Sequence, residues 1–190
     1  MPLSRPTRRE THHNRTVMCN GYLRDDGLWD VEARMTDVKT RDVDNPERGG
    51  YVPAGEAFHD MSIRLTLDKG LLIKQVEACI DYSPFRICKK VGAAYAQLQG
   101  TRIGPGWLRI AKDRIGGVAG CTHMNELLPV LATTAIQSIW PSSDKDVLAQ
   151  GAEFMLDSCH SWGRSSEMVR EYLPEHYQPA IAVNVVEEPK

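Results

Sequence analysis

The chain has 190 residues, 42% of them apolar and 25% charged, with a formal net charge of -2. That length and composition suit one folded domain with appendages and exclude a collagen-like or wholly disordered chain. The near-neutral balance gives no overall basic footprint for nucleic acid, and no apolar run approaches the roughly 18 to 20 residues of a membrane span.

The first fifteen residues carry four Arg and the adjacent pair His12-His13 without hydrophobic period, and read as a flexible basic arm. Residues 16–177 are expected to form a single domain, and 178–190 a polar tail. Thr16 to Arg24 and Leu28 to Lys39 have extended character and flank Asp25-Asp26-Gly27, a hairpin-closing tripeptide. In the second run Trp29, Val31, Ala33 and Met35 alternate with polar residues, the pattern of a half-buried strand. Thr40 to Glu56, rich in Asp, Gly, Pro and Arg, reads as a loop. A second hairpin follows: Met61, Ile63, Leu65 and Leu67 alternate, Asp68-Lys69-Gly70 turns, and Leu71 to Asp81 returns with Leu72, Val76, Ala78 and Ile80 on one face.

After Ser83-Pro84 the period changes to that of a helix. Phe85, Cys88, Val91, Gly92, Tyr95 and Leu98 make one stripe; Trp107 to Ile115 is a short helix; a longer one runs from Thr122 to Trp140 and stops at Pro141-Ser142-Ser143. Pro129 inside it removes a backbone donor and is expected to kink it. A weaker helix covers Ser165 to Tyr172. Strands first and helices after predict an α+β fold, an antiparallel β-meander with helices packed on one face.

Five cysteines, an odd number without CxxC spacing, do not read as a disulfide framework and fit a reducing, cytoplasmic setting. Cys88 and Cys121 each stand near a predicted helix start, where unpaired N–H groups favour a thiolate. Cys121 lies in Gly120-Cys121-Thr122-His123, and His59 precedes a strand. Two thiols and two imidazoles suit zinc, iron or an iron–sulfur cluster, so His59, Cys88, Cys121 and His123 form the candidate metal set. Burial alone accounts equally well for Cys88, which lies on the apolar stripe, and better for Cys79 between Ala78 and Ile80. Asp60 and Glu126 are candidate bases if the site is catalytic, and Cys159-His160 is a further Cys-His pair.

The motifs Gly21 to Ala33, Ala57-Phe58-His59-Asp60-Met61, Arg102 to Trp107 and Gly120-Cys121-Thr122-His123 resemble a bacterial family catalogued as a domain of unknown function. More distantly, residues 57–140 resemble the IscU and NifU N-terminal iron–sulfur scaffold proteins and the SufE-type sulfur acceptors. In those, an Ala-Cys-Gly-Asp loop and cysteines at two later helix starts hold the cluster. Here Ala57-Phe58-His59-Asp60 stands in the first loop, Cys88 at the second place and Gly120-Cys121 at the third. The first cysteine is replaced, and the histidine follows the last cysteine instead of preceding it. The resemblance implies a SufE/NifU-like fold and a metal-binding or sulfur-transfer role with a protein partner. The missing thiolate favours zinc or a single iron over an iron–sulfur cluster. A persulfide carrier based on Cys121, a small metalloenzyme, and an interaction module with buried, inert cysteines are the alternatives.

Overall fold

The structure is a computed structural model that describes residues 3–139 and 151–180. The chain divides into two compact units, Met1–Ile139 and Trp140–Lys190. Both fall across the span 16–177 that the sequence pattern treats as one domain. The helix end at Trp140, its stop at Pro141-Ser142-Ser143 and the tail from 181 onward lie outside the described residues.

In the first unit four antiparallel strands, β1 (His13–Leu23), β2 (Trp29–Lys39), β5 (Ala57–Leu67) and β6 (Ile73–Tyr82), form a sheet in the order β1-β2-β5-β6. The Asp25-Asp26-Gly27 turn joins the first pair, with Gly27 at φ +81°, a left-handed conformation that glycine adopts without a Cβ clash. Period-two alternation decides the two faces. Val31, Ala33 and Met35 of β2 stand in register with Leu65, Ile63 and Met61 of β5, and all six are at most 2% exposed. The fold is therefore α+β with an antiparallel meander, as the strand pattern predicts. The segment read as a loop, Thr40 to Glu56, contains a small hairpin of its own: β3 (Val43–Asn45) and β4 (Gly50–Val52), joined by a 3-10 turn at Pro46–Arg48. β1 begins at His13, so the last residues of the expected arm belong to the sheet.

Helix α1 (Trp107–Ile115) has the expected bounds, with Trp107 buried and its indole N–H donated to Thr101 Oγ1 at 3.0 Å. Helix α2 (Thr122–Ile139) buries Met124, Leu127, Leu128, Leu131 and Ala135 and lies over the core face of β1, β2 and β5. It approaches β1 so closely that a Cβ on Gly21 would stand 2.0 Å from Ser138 Oγ. The stripe from Phe85 differs from expectation. Arg86–Leu98 is a 3-10 helix, and its buried residues Gly92, Tyr95 and Leu98 recur every three positions, the 3-10 repeat, which leaves Phe85 exposed. Gly92 fits closely here: a Cβ would come within 3.1 Å of the Ala78 carbonyl on β6.

In the second unit, Ala152, Val169 and Leu173 are buried together, with Met155, Leu156, Trp162, Tyr172 and Tyr177 against them. Its helix Glu167–Tyr172 starts at Ser166, whose hydroxyl caps the Val169 N–H at 3.2 Å. No helix among the described residues is long and apolar enough to cross a membrane.

Candidate functional site

The alternation that buries Val31, Ala33 and Met35 continues to Asp37, so β2 carries a carboxylate onto the core face, only 1% exposed. Asp37 pairs with His59 across to β5, at a bulge where Phe58 is the extra residue between the pairs Asp37–His59 and Val38–Ala57. Bulges re-aim side chains next to functional sites. Here the His59 ring turns onto Asp37, its Nδ1 2.9 Å from Oδ2, with the Phe58 ring edge-on against it. On the other side β1 supplies Arg15 and His13. Arg15 donates Nε and Nη2 to the two Asp37 oxygens, each at 2.8 Å, and His13 Nε2 lies 3.0 Å from Oδ1. The third arm of the Arg15 guanidinium, Nη1, donates to Glu126 on α2. From the first turn of the same helix, His123 lays its ring over His59, with centroids 4.0 Å apart and planes 33° apart.

The electrostatics follow from burial. Desolvation by itself would raise the Asp37 carboxyl, but the Arg15 hydrogen bonds and charge, helped by His59 and His13, hold it well below the ordinary 3.8. An ionised carboxylate only accepts, so the ring nitrogens facing Asp37 are donors. His59 is then protonated at Nδ1 and keeps its lone pair on Nε2. Burial, then the neighbouring His123, lower the His59 pKa below 6.5 against the opposing pull of Asp37. His59 is therefore held neutral, the form that ligates a metal or accepts a proton.

Both shifts give stability the same sign with pH. A folded-state pKa below the unfolded value means that the unfolded chain takes up more protons, so stability is full above the unfolded pKa and lost as pH falls. His59 acts below 6.5 and Asp37 below 3.8. Thermal unfolding followed from about pH 7.5 down to about pH 5 should show Tm falling, and His59→Phe should flatten that slope. A slope unchanged in the variant would mean that His59 is not the group responsible.

Among the described residues Asp37, His59 and His123 form a group whose ligand atoms all lie within 4.8 Å of one another. Of the sequence-derived set, the structure brings together His59 and His123. It leaves Cys88 and Cys121 outside any such group. Cys88 lies in the 3-10 segment that packs on β6, at the far edge of the sheet from β1. Cys121 precedes α2 and donates its backbone N–H to the Tyr95 hydroxyl at 3.2 Å. Asp60, the candidate base beside His59, points to the opposite face, where Arg34 binds it through two hydrogen bonds of 2.8 and 2.6 Å. Cys79 is exposed instead of buried, because it alternates with Ala78 and Ile80 onto the outer face. Cys159 and His160 belong to the second unit, at the start of a 3-10 turn.

Reasoning from sequence missed Asp37, Arg15 and His13. A signal for Asp37 is present: it occupies the next core-facing position after Trp29, Val31, Ala33 and Met35, where a carboxylate needs partners. Arg15 and His13 share the phase of Val17, Cys19 and Gly21 on β1, a strand too polar and exposed to show that phase clearly.

These features define an α+β domain whose antiparallel sheet holds a histidine–carboxylate cluster beneath the first turn of a helix. The chain belongs to the family described as proteins of unknown function, DUF2889, whose model matches residues 13–137, a span that contains every residue of the cluster. No curated protein and no solved structure matches the chain.

Proposed function

We propose that this protein binds a divalent transition metal, zinc or a single iron, through His59 and His123, and acts as an accessory or carrier protein in metal handling. The observation that carries this reading is the convergence of Asp37, His59 and His123 within 4.8 Å. Tetrahedral ligands about 2.1 Å from a zinc ion stand about 3.4 Å from one another, so modest rotation of the His59 and His123 rings brings a nitrogen of each to that separation. Asp37 already accepts from Arg15, His13 and His59, and its role is to orient His59, the carboxylate–histidine–metal arrangement of many metal sites. Two carboxylates, Asp37 and Glu126, against one guanidinium leave a negative charge before any imidazole protonates, which favours a cation over an anionic ligand.

An iron–sulfur cluster fits less well, because no thiol joins the group. A persulfide carrier would need an exposed, acidified thiol. Cys121 is half-buried, and of the two exposed thiols, Cys79 and Cys159, that of Cys79 is pushed up by its hydrogen bond to Asp81. A small metalloenzyme is the second reading, favoured by the 2.9 Å Asp37–His59 contact, since a carboxylate-oriented imidazole is a general-base arrangement. Five free cysteines suit a cytoplasmic setting, with delivery to a protein partner as the role of a carrier.

Elemental analysis of protein purified without a metal-affinity tag tests the reading. Wild type and Cys121→Ser should both carry stoichiometric zinc or iron, and His59→Ala and His123→Ala should lose it while remaining folded. Metal-free wild type after metal supplementation, or loss of metal in Cys121→Ser, would contradict it.

A further inference from the structure

We infer that Glu126 is a third protein ligand of this metal and that it exchanges the Arg15 guanidinium for the ion on binding; the inference rests on the reading of His59 and His123 as ligands. Glu126 stands three positions after His123 on α2, so the two side chains share a face of the helix one turn apart. Its carboxylate does not enter the 4.8 Å group, and the reason is visible: it accepts from Arg15 Nη1, while Nε and Nη2 of the same guanidinium are committed to Asp37.

The two carboxylates bound to Arg15 differ in their freedom. Asp37 is buried at 1% exposure and has a hydrogen-bond donor on each oxygen besides Arg15. Glu126 is half exposed, with a longer side chain, and pairs with Arg15. When a divalent ion arrives, Glu126 is the carboxylate that can turn to it without stranding a buried charge. Arg15, always protonated and unable to ligate, keeps its two-pronged grip on Asp37. The product is two imidazoles and one carboxylate with open positions, a set suited to zinc or non-haem iron and to release as well as capture. With Asp37 and Glu126 ionised and Arg15 charged, a divalent ion takes the cluster from one net negative to one net positive charge.

Zinc titration of the full chain against a chromophoric chelator separates the possibilities. Glu126→Gln lies at the surface and should fold as wild type does, yet bind zinc more weakly by more than the roughly 10 to 100-fold that losing an outer-shell partner costs. Arg15→Lys keeps the charge at Asp37 but cannot span both carboxylates, so it should bind zinc more tightly than wild type. In the double variant Arg15→Lys/Glu126→Gln that gain should vanish. Equal affinity of Glu126→Gln and wild type, with His59→Ala still defective, would overturn the role of Glu126 and leave the histidine site standing. A gain from Arg15→Lys that survives without Glu126 would do the same. A folded wild type that takes up no zinc at all would overturn both.

Discussion

Replacing Asp37 with asparagine should destabilise the 1–139 unit by about 3 kcal/mol and weaken metal binding about 10 to 100-fold. The substitution conserves shape, so the effect isolates charge and acceptor capacity. An amide has one oxygen for the hydrogen bonds that two carboxylate oxygens now take from Arg15, His13 and His59, and its NH2 group would meet a donor. Removing one partner of a buried ion pair costs about 3 to 5 kcal/mol. The low end applies because Arg15 retains Glu126 and a third of its side chain reaches water. The loss of affinity has a separate cause: without an ionised acceptor at Nδ1, His59 is free to take the other tautomer and turn its lone pair away from the site. Urea unfolding and zinc titration of the same preparation measure the two effects. An unchanged midpoint would mean that Asp37 is not the anchor of the cluster.

Tyr95→Phe should cost about 1 to 3 kcal/mol and lower metal affinity although no ligand is touched. The Tyr95 ring is fully buried, and burial pushes its hydroxyl up to about 12, so it is a neutral donor throughout the working pH range. That hydroxyl donates to Asn125 Oδ1 at 2.6 Å and accepts from the Cys121 N–H at 3.2 Å. Asn125 in turn donates to the Ile115 carbonyl at the end of α1 at 3.0 Å. One hydroxyl thus fastens the α1–α2 connection and the first turn of α2, from which His123 projects, with Glu126 one turn further on. Phenylalanine would fill the same space and leave the Asn125 oxygen and the Cys121 N–H without this partner. Thermal melts and zinc titration check both effects. Full stability in the variant would show that α2 is positioned by its apolar packing alone.

The parts of the fold legible in the sequence are those where a single period dominates. Ile63 and Leu65 are buried as their alternation requires, and Trp107–Ile115 is a helix with the bounds its flanking glycines mark. The Arg86–Leu98 segment was less legible because a period of 3.0 and one of 3.6 place Tyr95 and Leu98 on the same face and diverge only over a longer stretch, at Phe85. On β6 the inward face begins at Ile73 instead of Leu72, since the register shifts between Thr66 and Leu67. The candidate site was half legible. His59 and His123 are recognisable as ligand types, but their shared location depends on strand order and on the bulge at Phe58. Cysteines drew attention by chemistry, whereas the residues that build the site, Asp37 and Arg15, are ordinary charged residues until strand pairing sets them opposite each other.

The central claim, a metal held by imidazole and carboxylate without thiolate, is tested most directly by the electronic absorption spectrum of the cobalt(II)-loaded protein. Ligand-field bands that disappear in His59→Ala and His123→Ala are expected, with no sulfur-to-cobalt charge-transfer band. A strong charge-transfer band in the near ultraviolet that is lost in Cys121→Ser or Cys88→Ser would contradict it.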